Sequence, residues 1–592
     1  MSAPRLPALN FLLPPRRVRR FAGSAVSRAP VRWTVPRNPR PETGAFEVGI
    51  GADGIELRAN DAAGFFYAER TLANLRGQFG RTLPRLELAD WPAYPVRGFY
   101  HDVTRGKVPT LKTLLALAET CAEHRLNHLE LYIEHTYAFA RHPKVWAGAD
   151  PLTADEIRTL DARCAELHID LVPSFSTFGH FYTWIHHAFP HLNELTRDVS
   201  ADPFTWWDRM MHYTLDCRDP RSLELVSEII REVRPLFRSR YFNICCDETF
   251  DLGTGKNRAA AARLGKGRLY VDFLKSVMGI VRDCDATPLF WGDIIRHSPE
   301  LLAELPAEAI ILDWDYSANL DQTKAGQFHA AGRRYYVCGG TCAWNGWLPD
   351  HATAHANLTR YARHGLACGA DGMLTTDWGD SGHINTLGPT LPLLALGAAA
   401  AWNPASPALR RSRFDATASR LILGDDTGQL IGLLAQAVSA ARATWNNVAR
   451  SWQPRSPTIP ADWFDSATGL YNDVFKRPAR THVAALNKII TLTTRIEKIL
   501  VRARPADRLV TEEIHIGLLG LRVMEELHLV YHHRAGKLKK SLVAPRAVAT
   551  RLADLDRRLA RVWLRRNKPS ELHRVREVLQ TAATDLRPRY PA

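Results

Sequence analysis

Two acids, Asp247 and Glu248, stand side by side in the stretch RSRYFNICCDETFDLGTGK (238–256). The apolar run Tyr241 to Cys246 reads as a strand, the acids close it, and a Gly-punctuated loop follows. A carboxyl desolvated at such a strand end is raised in pKa and becomes a candidate general acid. The usual glycosidase places two carboxyls on opposite sides of the scissile bond, which adjacent residues fit poorly. They fit a variant in which the substrate supplies its own nucleophile. There Glu248 protonates the leaving oxygen, Asp247 holds and polarises a neighbouring 2-acetamido group, and the acetamido oxygen attacks the anomeric carbon. Cys245 and Cys246 read as small buried hydrophobes rather than thiolates or metal ligands. The following DLGTGK lacks the GK[ST] ending of a phosphate loop and reads as a loop shaping the site.

The elements that must carry this pair recur along the chain. Strand-like runs lie at VRGFYHDV (96–103), LNHLELYI (126–133), HIDLVPSFS (168–176), RYFNICCDE (240–248), TPLFWGD (287–293), AIILDWDY (309–316), RRYYVCGG (333–340) and GMLTTDWG (372–379). Helix-compatible segments such as TLKTLLALAETCAEHR separate them. Eight β-then-α units over about 300 residues predict an α/β protein built on a (β/α)8 TIM barrel, whose active site belongs at the C-terminal ends of the strands. Those ends carry Asp102 and Arg105, Glu134 and His135, His180, Asp247 and Glu248, Trp291 and Asp293, Trp314 and Asp315, Trp344, then Trp378 and Asp380. Aromatic rings, carboxylates and one Arg suit a carbohydrate, whose ring has an apolar face and whose hydroxyls need polar partners. Each residue also has a plainer reading: a helix cap for the acids, a barrel-mouth ion pair for Arg105, core packing for His180 and the tryptophans.

Around the barrel (95–403) the sequence predicts a small α/β domain at 1–94 and an all-helical domain at 404–592. In the first, FEVGIGADGIELRAN reads as a hairpin about Asp53-Gly54 and DAAGFFYAERTLANLRGQF as a helix. In the last, TGQLIGLLAQAVSAARATWNNVAR reads as one helical run. The net charge of +15 invites a nucleic-acid reading, but residues 405–592 hold roughly 33 Lys and Arg against about 17 Asp and Glu, so the excess is a basic helical surface and no nucleic acid is expected. Nine scattered Cys without CxxC predict free thiols in a reducing, cytoplasmic setting. The Pro-interrupted start MSAPRLPALNFLLPPRRVRR does not read as a secretory leader, and no apolar run reaches membrane-spanning length, so no membrane partner is expected.

The order RGFYHDVTR, LNHLELYIEHTY, VPSFSTFGH, FNICCDE, TTDWGD resembles family 20 glycoside hydrolases, the β-N-acetylhexosaminidases, and more closely their intracellular branch. The resemblance covers roughly residues 10 to 400. It implies a retaining exo-enzyme that removes terminal β-GlcNAc or β-GalNAc by substrate-assisted catalysis, with no cofactor and no metal. Glu248 is then the general acid/base, Asp247 orients the acetamido group, and His180 assists proton traffic at Glu248. Arg105 binds the 3- and 4-hydroxyls, Trp291, Trp314 and Trp378 line the acetamido pocket and sugar face, and Asp380 takes outer hydroxyls. Three departures stand out. Asn243-Ile-Cys245-Cys246 replaces His-x-Gly-Gly, Glu134-His135 replaces a pair of Asp, and Trp344-Asn345 fills the place of Tyr-x-Asp. The altered His and Asp positions leave open a second reading, a sugar-binding protein impaired in catalysis; a third, a nucleic-acid or partner-binding module, gives the main role to the basic C-terminal helices. A terminal N-acetylhexosamine is the expected partner, and a homodimer is left open.

Overall fold

A computed structural model describes residues 9–456 and 458–587; the first eight residues of the leader reading lie outside them. The hairpin appears as β3 (Phe46–Ile50) and β4 (Ile55–Ala59), in a five-stranded sheet with β1 (Arg17–Val26), β2 (Val31–Thr34) and β5 (Thr82–Asp90) in the order β1-β5-β3-β4-β2. The helix Ala62–Phe79 covers this sheet, and Asp61 caps it by accepting the Gly64 N–H.

Eight parallel strands then close on themselves: β6 (Val96–Asp102), β7 (His128–Ile133), β8 (Asp170–Phe175), β9 (Tyr241–Asn243), β10 (Thr287–Trp291), β11 (Ile310–Trp314), β12 (Arg334–Gly340) and β13 (Gly372–Asp377), with β13 pairing back to β6. Seven match the sequence reading to within a few residues. The fourth does not, because β9 stops at Asn243. Cys245, Cys246 and Glu248 have φ of 57°, 63° and 48°, and left-handed backbone cannot continue a strand. The departure is held in place from several sides. Asn243 accepts the Cys245 N–H at 2.9 Å and donates to Glu130 at 2.7 Å inside the barrel. Tyr270 Oη donates to the Cys246 carbonyl at 2.9 Å.

The rest of the described chain is helical. The run read as one helix is two, Leu430–Ala440 and Trp445–Ser451, because the Glu525 carboxylate takes the N–H groups of Arg442 and Ala443 at the break. Much of the basic surface is paired: Arg551 with Glu526 at 2.6 Å, Arg566 with Glu513 at 2.6 Å, Arg576 with Asp556 at 2.8 Å. Among the described residues no helix is long and apolar enough to cross a membrane.

Candidate active site

The C-terminal mouth of the barrel holds a cavity of about 190 Å³. Small-molecule pockets commonly measure about 300–1,000 Å³, so this one suits a single sugar ring rather than a chain. Asp247 and Glu248 form part of its wall with Arg105, Met210 and Asp380, and Trp291, Trp314, Tyr316, Trp344 and Trp378 form the aromatic remainder. Trp314 and Tyr316 stack at 5.2 Å, Tyr316 lies 4.9 Å from Trp344, and Trp378 Nε1 donates to Tyr316 Oη at 2.7 Å. These hydrogen-bonded and packed rings form a rigid apolar bowl.

His180 stands behind the acids, with Nε2 3.3 Å from Asp247 Oδ2 and 3.5 Å from Glu248 Oε2, and Nδ1 3.6 Å from Glu134 Oε1. Burial alone would strip its proton, but Asp247 and Glu134 outweigh that and push its pKa up to about 10. The Arg105 guanidinium, 3.1 Å from Nδ1, opposes the charge, yet carboxylates on both ring nitrogens prevail. The approach depends on Gly179: a Cβ there would stand 2.4 Å from the Asp247 carbonyl oxygen.

Arg105 is held at three points of its side chain and backbone. Its Nε donates to Glu134 at 3.3 Å, its Nη1 to Asp380 at 2.9 Å, and Asp102 accepts its backbone N–H at 3.1 Å. Asp380, also bonded by Asn345 Nδ2 at 3.1 Å, has its pKa pushed up to about 6 by burial against the opposing pull of Arg105. Glu134 braces from below rather than lining the cavity. Burial would raise its pKa, but His180, Arg105 and Arg209 hold it well below the usual carboxylate range. His135 turns the other way, as the residue after an inward one must at a strand end. It lines a separate cavity with Tyr182, His186 and Glu571, and burial lowers its pKa to about 4.

The sequence reading of the site missed His212 and Tyr316 and named Asp293 only as a strand end, without a role. His212, from the loop after Trp206–Arg209, places Nε2 2.8 Å from Glu248 Oε2. Burial and the neighbouring His180 lower its pKa to about 4, so at neutral pH it is an uncharged donor. Burial would raise Glu248, but His212, His180 and Arg105 together bring it down to about 2, so the open site holds Glu248 as a carboxylate. Asp293 accepts the Glu248 backbone N–H at 3.0 Å, and burial beside the Asp247 charge pushes its pKa up to about 8. Tyr316, within AIILDWDY, closes the aromatic bowl.

His180, His212 and Glu248 bring one ligand atom each within 4.8 Å of one another, the spacing of a metal site. The contact the cluster makes is a hydrogen bond between histidine and carboxylate, 2.8 Å between His212 Nε2 and Glu248 Oε2. Both acids line the cavity, and two polar atoms of the lining residues are buried without a partner: Asp247 Oδ1, an acceptor, and Trp291 Nε1, a donor.

Residues 94–341 match the family model described as glycosyl hydrolase family 20, catalytic domain. The chain's barrel belongs to that family. Hexosaminidase D of Bos taurus is 25% identical over 205 residues, which cover 33% of this chain and 56% of the relative. The N,N'-diacetylchitobiase of Vibrio harveyi is 34% identical over 93 residues, 16% of this chain and 10% of that one. The chain thus spans about half or less of the length of these relatives. Among solved structures, a chitobiase of Flavobacterium johnsoniae superposes with a TM-score of 0.59 at 15% identity, covering 96% of this chain and 99% of that one. An exo-β-N-acetylglucosaminidase of Vibrio harveyi, solved with N-acetylglucosamine, gives a TM-score of 0.55 at 18% identity over 70% of this chain and 78% of that one. The first of these likenesses extends the shared fold past the family 20 barrel to the flanking domains.

Proposed function

We propose that this family 20 protein is a retaining exo-β-N-acetylhexosaminidase that works by substrate-assisted catalysis. The observation that carries the reading is a pair of unsatisfied groups among the residues that line the cavity: Asp247 Oδ1 lacks a donor and Trp291 Nε1 lacks an acceptor. A buried polar atom without a partner is costly, and a secondary amide offers one N–H and one C=O to answer both. An acetamido group bonded there places its carbonyl oxygen beside the anomeric carbon.

In the reaction, Glu248 takes up a proton as the bound sugar displaces water from its surroundings, and gives it to the glycosidic oxygen. The acetamido oxygen attacks C1 as the bond to the leaving group breaks, forming a cyclic oxazolinium. Asp247 accepts the amide N–H and stabilises the charge that develops on nitrogen. Glu248, again a carboxylate, removes a proton from water as its oxygen adds to C1 from the face the leaving group vacated. The ring opens, the acetamido group is restored and the β configuration is retained. Arg105 and Asp380 address the outer hydroxyls of the terminal sugar.

A second reading, a sugar-binding protein impaired in catalysis, draws on one observation: His212 and His180 hold Glu248 ionised in the open site. Release of nitrophenol from aryl β-GlcNAc and β-GalNAc, and none from the β-glucoside, would support the hydrolase. Binding of the acetamido sugars with no cleavage of any glycoside would favour the binding protein.

A further inference from the structure

The loop that carries Arg105 is secured by a remote part of the chain. The Gly106 carbonyl accepts Ser570 Oγ at 2.7 Å and the Glu571 N–H at 3.2 Å, and the Val108 carbonyl accepts the Lys568 N–H at 2.8 Å. Gly106, at φ 135°, presses on the Gly382 backbone so closely that a Cβ would stand 2.7 Å from it, which couples this loop to the one bearing Asp380. The deepest contact is ionic. Arg209, only 3% exposed, is paired with the Glu571 carboxylate at 2.5 Å. Its Nη2 also donates to the Thr104 carbonyl at 2.9 Å and lies 3.8 Å from Glu134 Oε2. Thr104 precedes Arg105 in the chain, and Glu134 accepts the Arg105 Nε proton.

We propose that the C-terminal helical domain is a working part of the sugar site, in which Glu571, acting through Arg209, positions Arg105 against the outer hydroxyls of the terminal sugar. Glu571 touches no substrate; it is a positioning residue. Without its charge, Arg209 is left buried beside one carboxylate instead of two, and is drawn toward Glu134. Glu134 is the group that orients Arg105 Nε, so the guanidinium turns away from the cavity. The loss falls on whichever hydroxyl Arg105 serves and spares the acetamido end, which Asp247 and the aromatic bowl hold separately. The inference rests on Arg105 being the hydroxyl-binding arginine of the proposed site.

The test is titration calorimetry with N-acetylglucosamine, N-acetylgalactosamine and their common 3,4-dideoxy derivative, which lacks both hydroxyls assigned to Arg105, on wild type, Glu571→Ala, Glu571→Gln and the exposed control Glu577→Gln. Glu571→Ala should weaken both hydroxylated sugars about tenfold or more and change the 3,4-dideoxy sugar less than about twofold. Glu571→Gln, which keeps an acceptor oxygen, should fall between, and the control should match wild type. If Glu571→Ala fails to fold, Glu571→Gln carries the same comparison. Equal weakening of all three sugars, or none, overturns the proposal. A wild type that binds the sugars but cleaves no glycoside leaves this inference standing and removes the hydrolase reading. A wild type that binds none of them removes both.

Discussion

In the proposed reaction His212 sets the working pH of Glu248, and replacing it should move that pH in a direction fixed by the geometry. As an uncharged donor 2.8 Å from Glu248 Oε2, His212 stabilises the carboxylate and not the acid. A hydrogen bond to a charged group is worth about 1.5–3 kcal/mol. At 1.36 kcal/mol per pKa unit, that corresponds to roughly one to two units. The Glu248 side chain keeps 28% of its surface exposed, so solvent replaces part of the lost bond and about one unit is expected. Removing a donor to the charged form raises the pKa. Because the protonated form is the acid that cleaves an unactivated bond, the alkaline limb of kcat/KM must move to higher pH. The assay is the pH profile of kcat/KM on a β-linked N-acetylhexosaminyl disaccharide for wild type, His212→Phe and His212→Gln. His212→Phe should shift the limb up by about one unit and His212→Gln, which keeps an N–H, by less. A limb that stays in place or moves down refutes the reasoning.

Other substitutions test the remaining assignments. Glu248→Gln should lose about 10²–10⁴-fold in kcat/KM on unactivated glycosides and far less on aryl glycosides with good leaving groups; equal loss on both would rule it out as the acid. Asp247→Asn should depress both substrates together, read by the same rate comparison, since it acts on the internal nucleophile. Gly179→Ala, whose Cβ would meet the Asp247 carbonyl, should cost about 1–3 kcal/mol in denaturant unfolding and lower activity with it. Asp293 binds its proton more tightly folded, near 8, than its ordinary value of 3.8. Its protonated form therefore supports the fold at low pH, and that support is lost as pH rises through this window. Unfolding curves of wild type and Asp293→Asn should separate in favour of the variant between about pH 4 and 8 and run parallel above.

The barrel was legible because parallel strands covered on both faces must be almost continuously apolar, and runs such as LNHLELYI and RRYYVCGG leave no other good reading. Asp247, Glu248, Arg105 and Asp380 were legible because charged residues closing such runs face the rim. The end of β9 was not. Cys carries no sign of a left-handed backbone in the way Gly does, and what bends the chain there is Asn243, Glu130 and Tyr270, gathered from three elements. The break between the two helices at 441–444 was hidden for the same reason, since it is made by a carboxylate more than eighty residues away. His212 gave no signal in DRMMHYTLD, with neither periodicity nor a strand end to mark it. Glu134 and His135 were named together, but adjacent residues leaving a strand face opposite ways and only Glu134 meets Arg105.

The contact between Gly106 and Ser570 joins points 464 residues apart in sequence. During synthesis at about 5–20 residues per second, that interval is a matter of tens of seconds. Throughout it the first barrel strand and its loop are already made while the segment that fastens the loop is not. Arg105 thus waits, unsecured, on a segment translated long after it. A protein cut between residues 403 and 566 has all of the acids and aromatics of the cavity and lacks the fastening.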